Sequence, residues 1–169
     1  MLDTIRSAMI LALAESLRTH DSWCGETHLQ KAMFFLQENS GVSAGFEFVL
    51  YKHGPYSFDL HDELSSLFAH CLLEDESCPP YGPRIKLSES GDHFLDTHGD
   101  RLGEMRAKIE EVAAWFGSKG VMELEKYATA LWVRLHHADA EIDLLARKVN
   151  EIKPHISEEA AKEALTSIP

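Results

Sequence analysis

Apolar residues recur along this chain at two distinct periods. Leu2, Ile5, Met9, Leu13 and Leu17 return every three or four residues, which predicts a first helix from about residue 2 to 19. His20 to Gly25 interrupts that pattern. Thr27 and Gln30 have the spacing of a capping box, and Leu29, Met33 and Leu36 give a second helix its apolar face up to Asn39-Ser40-Gly41. The period then falls to two. Phe46, Phe48 and Leu50 alternate with Glu47, Val49 and Tyr51, as in a half-buried strand that ends at Lys52-His53-Gly54-Pro55. Ser57 is placed to cap a third helix, whose stripe of Leu60, Leu64, Leu67, Phe68 and Cys71 ends near Leu73.

A loop rich in acid and proline is expected from Glu74 to Pro83, followed by a short strand in which Ile85 and Leu87 alternate with Arg84 and Lys86. Ser88 opens a fourth helix, predicted to run unbroken along Leu95, Leu102, Met105, Ile109, Val112 and Phe116 to Ser118-Lys119-Gly120. Leu124, Tyr127, Leu131 and Leu135 mark a fifth helix, and Ile142, Leu145 and Val149 a sixth. Lys153-Pro154 breaks the chain before a last helix from about Ser157. This is the element order of a mainly α, α+β chain. Residues 1–90 read as a winged helix-turn-helix-like part with a small β-hairpin wing, and residues 91–169 as a helical bundle packed on it. The strand before the third helix is free to pair with the wing strand. The fourth helix offers a seam for a homodimer or for packing inside the bundle; His98 interrupts it, which favours packing. Trp115, Phe116 and Trp132 then belong to that core or to an apolar patch.

Tyr51-Lys52-His53-Gly54-Pro55-Tyr56-Ser57, preceded by Leu29-Gln30-Lys31, resembles a motif of the YwgA-like proteins of bacteria and archaea, and more distantly of the Panacea antitoxin domain. Leu124-Glu125-Lys126-Tyr127-Ala128-Thr129 and Ile152-Lys153-Pro154 extend the likeness along most of the chain. Ile85 to Gly91 resembles the junction from wing strand to helix in winged-helix regulators. The resemblance implies a winged-helix-like interaction module and, from Panacea domains, a partner neutralised by direct contact. It carries over no catalytic residues.

Charge sharpens this reading. Sixteen Lys and Arg stand against 28 Asp and Glu, a net charge of −12, which repels phosphate backbones. Residues 1–83 alone hold four basic and twelve acidic side chains, net −8. The presumed reading helix, Pro55 to Leu73, has no Lys or Arg and carries Asp59, Asp62 and Glu63. A DNA-binding regulator, acting as a dimer, would depend on Arg84 and Lys86 of the wing. The longest apolar run, Ala8 to Ala14, is far short of the roughly 20 residues of a spanning helix, and Asp3 argues against a leader peptide. Cys24, Cys71 and Cys78 are an odd count in a chain large enough to fold without staples, so reduced thiols and a cytoplasmic setting are expected.

The remaining candidates for chemistry are sparse. Asp92, Asp96 and Asp100 share a helix stripe near His93, and carboxylates there suit the helix dipole without any metal. His136, His137 and Asp139, and likewise His70, Cys71 and Cys78, lack the paired spacing of a metal site, so no metal or cofactor is assigned. Cys24 before a helix with His28 one turn on is the least apparatus for thiol chemistry, and it lacks a third orienting group. Glycine-rich phosphate loops, a GxSxG elbow and an HExxH helix are absent from the sequence. The expected function is therefore non-enzymatic: contact with a basic protein partner through Lys52, His53, Tyr56, Asp59, Asp62 and Glu63.

Overall fold

A computed structural model describes residues 2–169. The chain is mainly helical, with two small antiparallel hairpins. Helix α1 (Thr4–Thr19) begins where Asp3 accepts hydrogen bonds from the amides of Ile5 and Arg6. Its Ala8 to Ala14 run is buried throughout, because α2, α4 and α5 surround the helix. None of the helices is long and apolar enough to cross a membrane among the described residues.

Helix α2 (Glu26–Glu38) starts earlier than the Thr27/Gln30 spacing suggests. Gly25 is its N-cap and donates its amide to His28 Nδ1 at 3.2 Å. Gln30 is instead drawn across to the start of α3, where both amide atoms bind the Ser57 backbone at 2.9 Å. Residues 28–36 are all buried, since α1, α5, α6 and the first hairpin cover the helix on several sides.

Strand β1 (Val49–Tyr51) pairs with β2 (Gly54–Tyr56) across the two-residue turn Lys52-His53, with Leu50 opposite Pro55. This corrects the expected pairing of the first strand with the wing. Gly54 and Pro55 look like terminators, yet they form the return strand, and β1 pairs with β2 in a sheet separate from that of β3 and β4. Helix α3 (Phe58–Ala69) is capped by Ser57 as expected, and ends before Cys71, whose positive φ of 55° turns the chain out of the helix. The acidic loop also shrinks. Its start forms β3 (Leu73–Glu76), paired with β4 (Arg84–Leu87) from Leu73↔Leu87 to Glu76↔Arg84.

The long fourth helix is two helices. α4 (Glu89–His98) runs into a short 3-10 turn, Gly99–Leu102, and Gly103 at φ 50° redirects the chain into α5 (Met105–Phe116). The apolar repeat survives the bend: Leu95, Leu102, Ile109, Val112 and Phe116 are all buried. Helices α6 (Val121–His136), α7 (Ile142–Ile152) and α8 (Glu158–Ser167) pack on one another, and α6 also lies on α2. Buried residues from both sides of residue 90 form one cluster. Trp115 stacks on Phe35 at 5.2 Å and Trp132 lies 6.2 Å from Phe34, so both indoles pack against that core.

Candidate functional site

The four sequence segments that carry the family resemblance meet in space around the β1–β2 hairpin. Lys31 sits in the buried stretch of α2 at 1% exposure and donates from Nζ to the Pro55 carbonyl at 2.8 Å. Burial pulls its ammonium down to about 8; Glu125 opposes the shift and Lys153 adds to it. Glu125, buried in α6, lies 3.2 Å from Lys153 Nζ, 3.6 Å from His53 Nδ1 and 3.6 Å from His155 Nε2. Lys153 also donates to the Lys52 carbonyl. Gly54, at φ 89°, lies so close to α6 that a Cβ there would stand 3.0 Å from Thr129 Oγ1. The hairpin is thereby clamped between α2 and α6 by charge on one side and by close approach on the other.

Clamping turns the opposite side of the hairpin outward. Tyr51, Tyr56 and Phe58 form a mutually contacting trio, with ring centroids 5.1 to 5.6 Å apart. Phe58 is 53% exposed and Tyr51 45%. The Tyr56 hydroxyl donates to Glu26 Oε1 at 3.0 Å, and His61 Nδ1 lies 2.7 Å from the same oxygen. Burial, with the Glu26 carboxylate close by, pushes the Tyr56 phenol up to about 12. Asp59, Asp62 and Glu63 occupy neighbouring positions of the α3 helix surface. Asp59 and Asp62 are exposed, whereas Glu63 is half-buried and its Oε1 is buried without a hydrogen-bond partner.

The six residues expected to form the contact face are therefore divided. Tyr56, Asp59 and Asp62 belong to the outer face, Glu63 lies beside it with one oxygen buried, and Lys52 caps the turn with Nζ 5.8 Å from the Tyr51 ring. His53 leans toward Glu125 instead. Tyr51 and Phe58 join the face without having been expected there. Tyr51 fell at a polar position of the strand alternation, and an exposed aromatic there was the available signal. The inner Lys31, Glu125 and Lys153 cluster had no such signal, because these residues lie 28 to 122 positions apart in the chain.

The β4 cations Arg84 and Lys86 are both committed to neighbours. Arg84 donates to the carbonyls of Trp23 and Ser22 and lies over the Trp23 ring, and Lys86 pairs with Glu74 at 2.8 Å. Cys24 is fully buried with Sγ 3.7 Å from the Ala14 carbonyl, and burial pushes its thiol up to about 12. That is opposite to the shift that thiol chemistry would need, and burial holds the adjacent His28 down at about 4. Among the described residues, no three His, Cys, Asp or Glu side chains are grouped to hold a metal ion. Compared with known proteins, the chain matches no protein-family model, and no curated protein matches it.

Proposed function

We propose that this chain is a cytoplasmic, winged-helix-like interaction module without a catalytic step of its own, which docks a basic segment of a protein partner on the face made by β1, β2 and the start of α3. The observation that carries this reading is the trio of exposed Tyr51 and Phe58 with half-buried Tyr56, with acid beside it. An apolar aromatic centre with a charged margin is how protein interfaces concentrate affinity and select partners by charge. The order of α1, α2, α3 and the β3–β4 hairpin supports the winged-helix comparison. The likeness of the hairpin segment to YwgA-like and Panacea proteins supports an antitoxin-like role, in which the partner is held by contact alone.

Two variants test the face at exposed positions: Phe58→Ala, and Asp59→Lys combined with Asp62→Lys. Wild-type protein captured from native lysate at physiological salt should retain one stoichiometric protein partner after nuclease treatment. Each variant should weaken that partner by about 30-fold or more, the size of a hot-spot loss near 2 kcal/mol. Undiminished capture by both variants, or recovery of nucleic acid alone, would overturn the proposal.

A further inference from the structure

Phe58 is the most exposed ring of the trio and opens α3 directly after the Ser57 cap. Asp62 lies one helical turn on, at the spacing that sets two side chains side by side on a helix surface, and Asp59 follows Phe58 in the first turn. Burial is the main reason the Tyr56 phenol is pushed up, and the Asp62 carboxylate adds to it, so this carboxylate lies within charge range of the rings. None of Asp59, Asp62 and Glu63 enters an ion pair among the described residues. Elsewhere Glu15, Glu74, Glu76 and Asp143 are each taken by a Lys or Arg of the chain.

One ring of this face already carries a cation. Lys52 Nζ sits over the Tyr51 ring at 5.8 Å, within the range of a cation–π contact. Among the described residues Phe58 carries none. Glu26 is engaged by the Tyr56 hydroxyl and His61, so the groups left open are the Phe58 ring and the Asp59 and Asp62 carboxylates. An ammonium is a compact point charge that meets one such group at a time. A guanidinium is flat and forked, so its plane stacks on a ring while its N–H groups donate to both oxygens of a neighbouring carboxylate.

We propose that this face selects arginine over lysine, with a partner's guanidinium lying on the Phe58 ring and donating to the Asp62 carboxylate. The inference rests on the docking reading above and adds the side chain that the face recognises. Acid alone does not make this choice. A cleft between α1 and α4 gathers Glu15, Asp92, Asp96 and Asp100, but Arg106 pairs with Glu15 there and no aromatic residue lines it. That cleft offers charge without a ring and serves as the internal comparison.

Fluorescence anisotropy on the intact chain at physiological salt tests the selection with two labelled nonapeptides of equal charge, three repeats of Gly-Arg-Ser or of Gly-Lys-Ser. The arginine peptide should bind about tenfold or more tightly than the lysine peptide, because stacking and a bidentate bond act together on one side chain. Phe58→Ala and Asp62→Asn, both at exposed positions, should each cut that preference to about twofold or less. Asp96→Asn in the acidic cleft should leave it unchanged. No binding of the arginine peptide at millimolar concentration, equal affinity for the two peptides, a preference that survives either face variant, or one lost in Asp96→Asn would each overturn the inference. Capture of the lysate partner is scored apart from the peptides: a partner held by a chain without the preference would overturn arginine selection and leave the docking reading standing.

Discussion

Lys31 holds its ammonium group at 1% exposure with the Pro55 carbonyl as acceptor, and burial lowers it from 10.5 to about 8. Between those values the unfolded chain binds a proton that the folded chain does not, so this group adds stability as pH rises through the window. Below pH 8 its full cost is present, about 3 kcal/mol. Cys24 acts in the opposite direction above pH 9, because its folded thiol keeps a proton that the unfolded one loses. Comparison with Lys31→Met cancels that second effect. The unfolding free energy of wild type relative to Lys31→Met, from urea titrations at pH 8 and 10.5, should rise by about 3 kcal/mol. A difference independent of pH would contradict the buried ammonium. Cys24 offers a simpler check at the same scale. Iodoacetamide at pH 8 should label exposed Cys71 and leave Cys24 unmodified, and equal labelling would contradict its burial. Neither environment was legible in sequence. Lys31 lies among Leu29, Ala32 and Met33, and its charge is accounted for by the Pro55 carbonyl returned onto α2 and by Glu125 of α6.

At the scale of elements, the periodic segments were legible because burial imposed their periods. Helices α1, α6, α7 and α8 fall where the apolar spacing and the Ser157 cap put them, and α3 starts at its Ser57 cap but ends at Ala69 rather than near Leu73. The misses share a cause. Gly54-Pro55-Tyr56 and Leu73-Glu74-Asp75-Glu76 have the composition of turns and loops, yet both pair because their partner strands hold them. The bend between α4 and α5 leaves the apolar repeat in phase, so only Gly99 and Gly103 could have announced it. Close contact between α4 and the start of β3 has a direct consequence. A Cβ at Gly91 would stand 2.1 Å from the Leu72 carbonyl oxygen, which is backbone and cannot rotate away. Gly91→Ala should therefore destabilise the chain by about 1–3 kcal/mol or more, read as a lower urea midpoint. An unchanged midpoint would contradict that contact.

Across the whole molecule, the separated segments of the hairpin motif have one structural outcome: they anchor β1 and β2 between α2 and α6 and leave Tyr51 and Phe58 exposed with Tyr56 half-buried beside them. Under the proposed docking, a net charge of −12 favours a basic partner. The motif was legible as sequence, but its convergence was not, because Lys31, Glu125 and Lys153 belong to different elements and meet only when the bundle closes. Charge at the margin also sets a salt response. Raising salt from 0.15 M to 1 M shortens the screening length from about 8 Å to 3 Å and should weaken the complex. The most direct measurement of the docking face is site-specific photocrosslinking in cells, with benzoylphenylalanine in place of Phe58 or, as the comparison position, of Leu144 on α7, which is 43% exposed. The predicted result is one protein adduct formed at position 58 and not at position 144. An adduct formed equally at both positions, or no protein adduct at position 58, would contradict the assignment of this face.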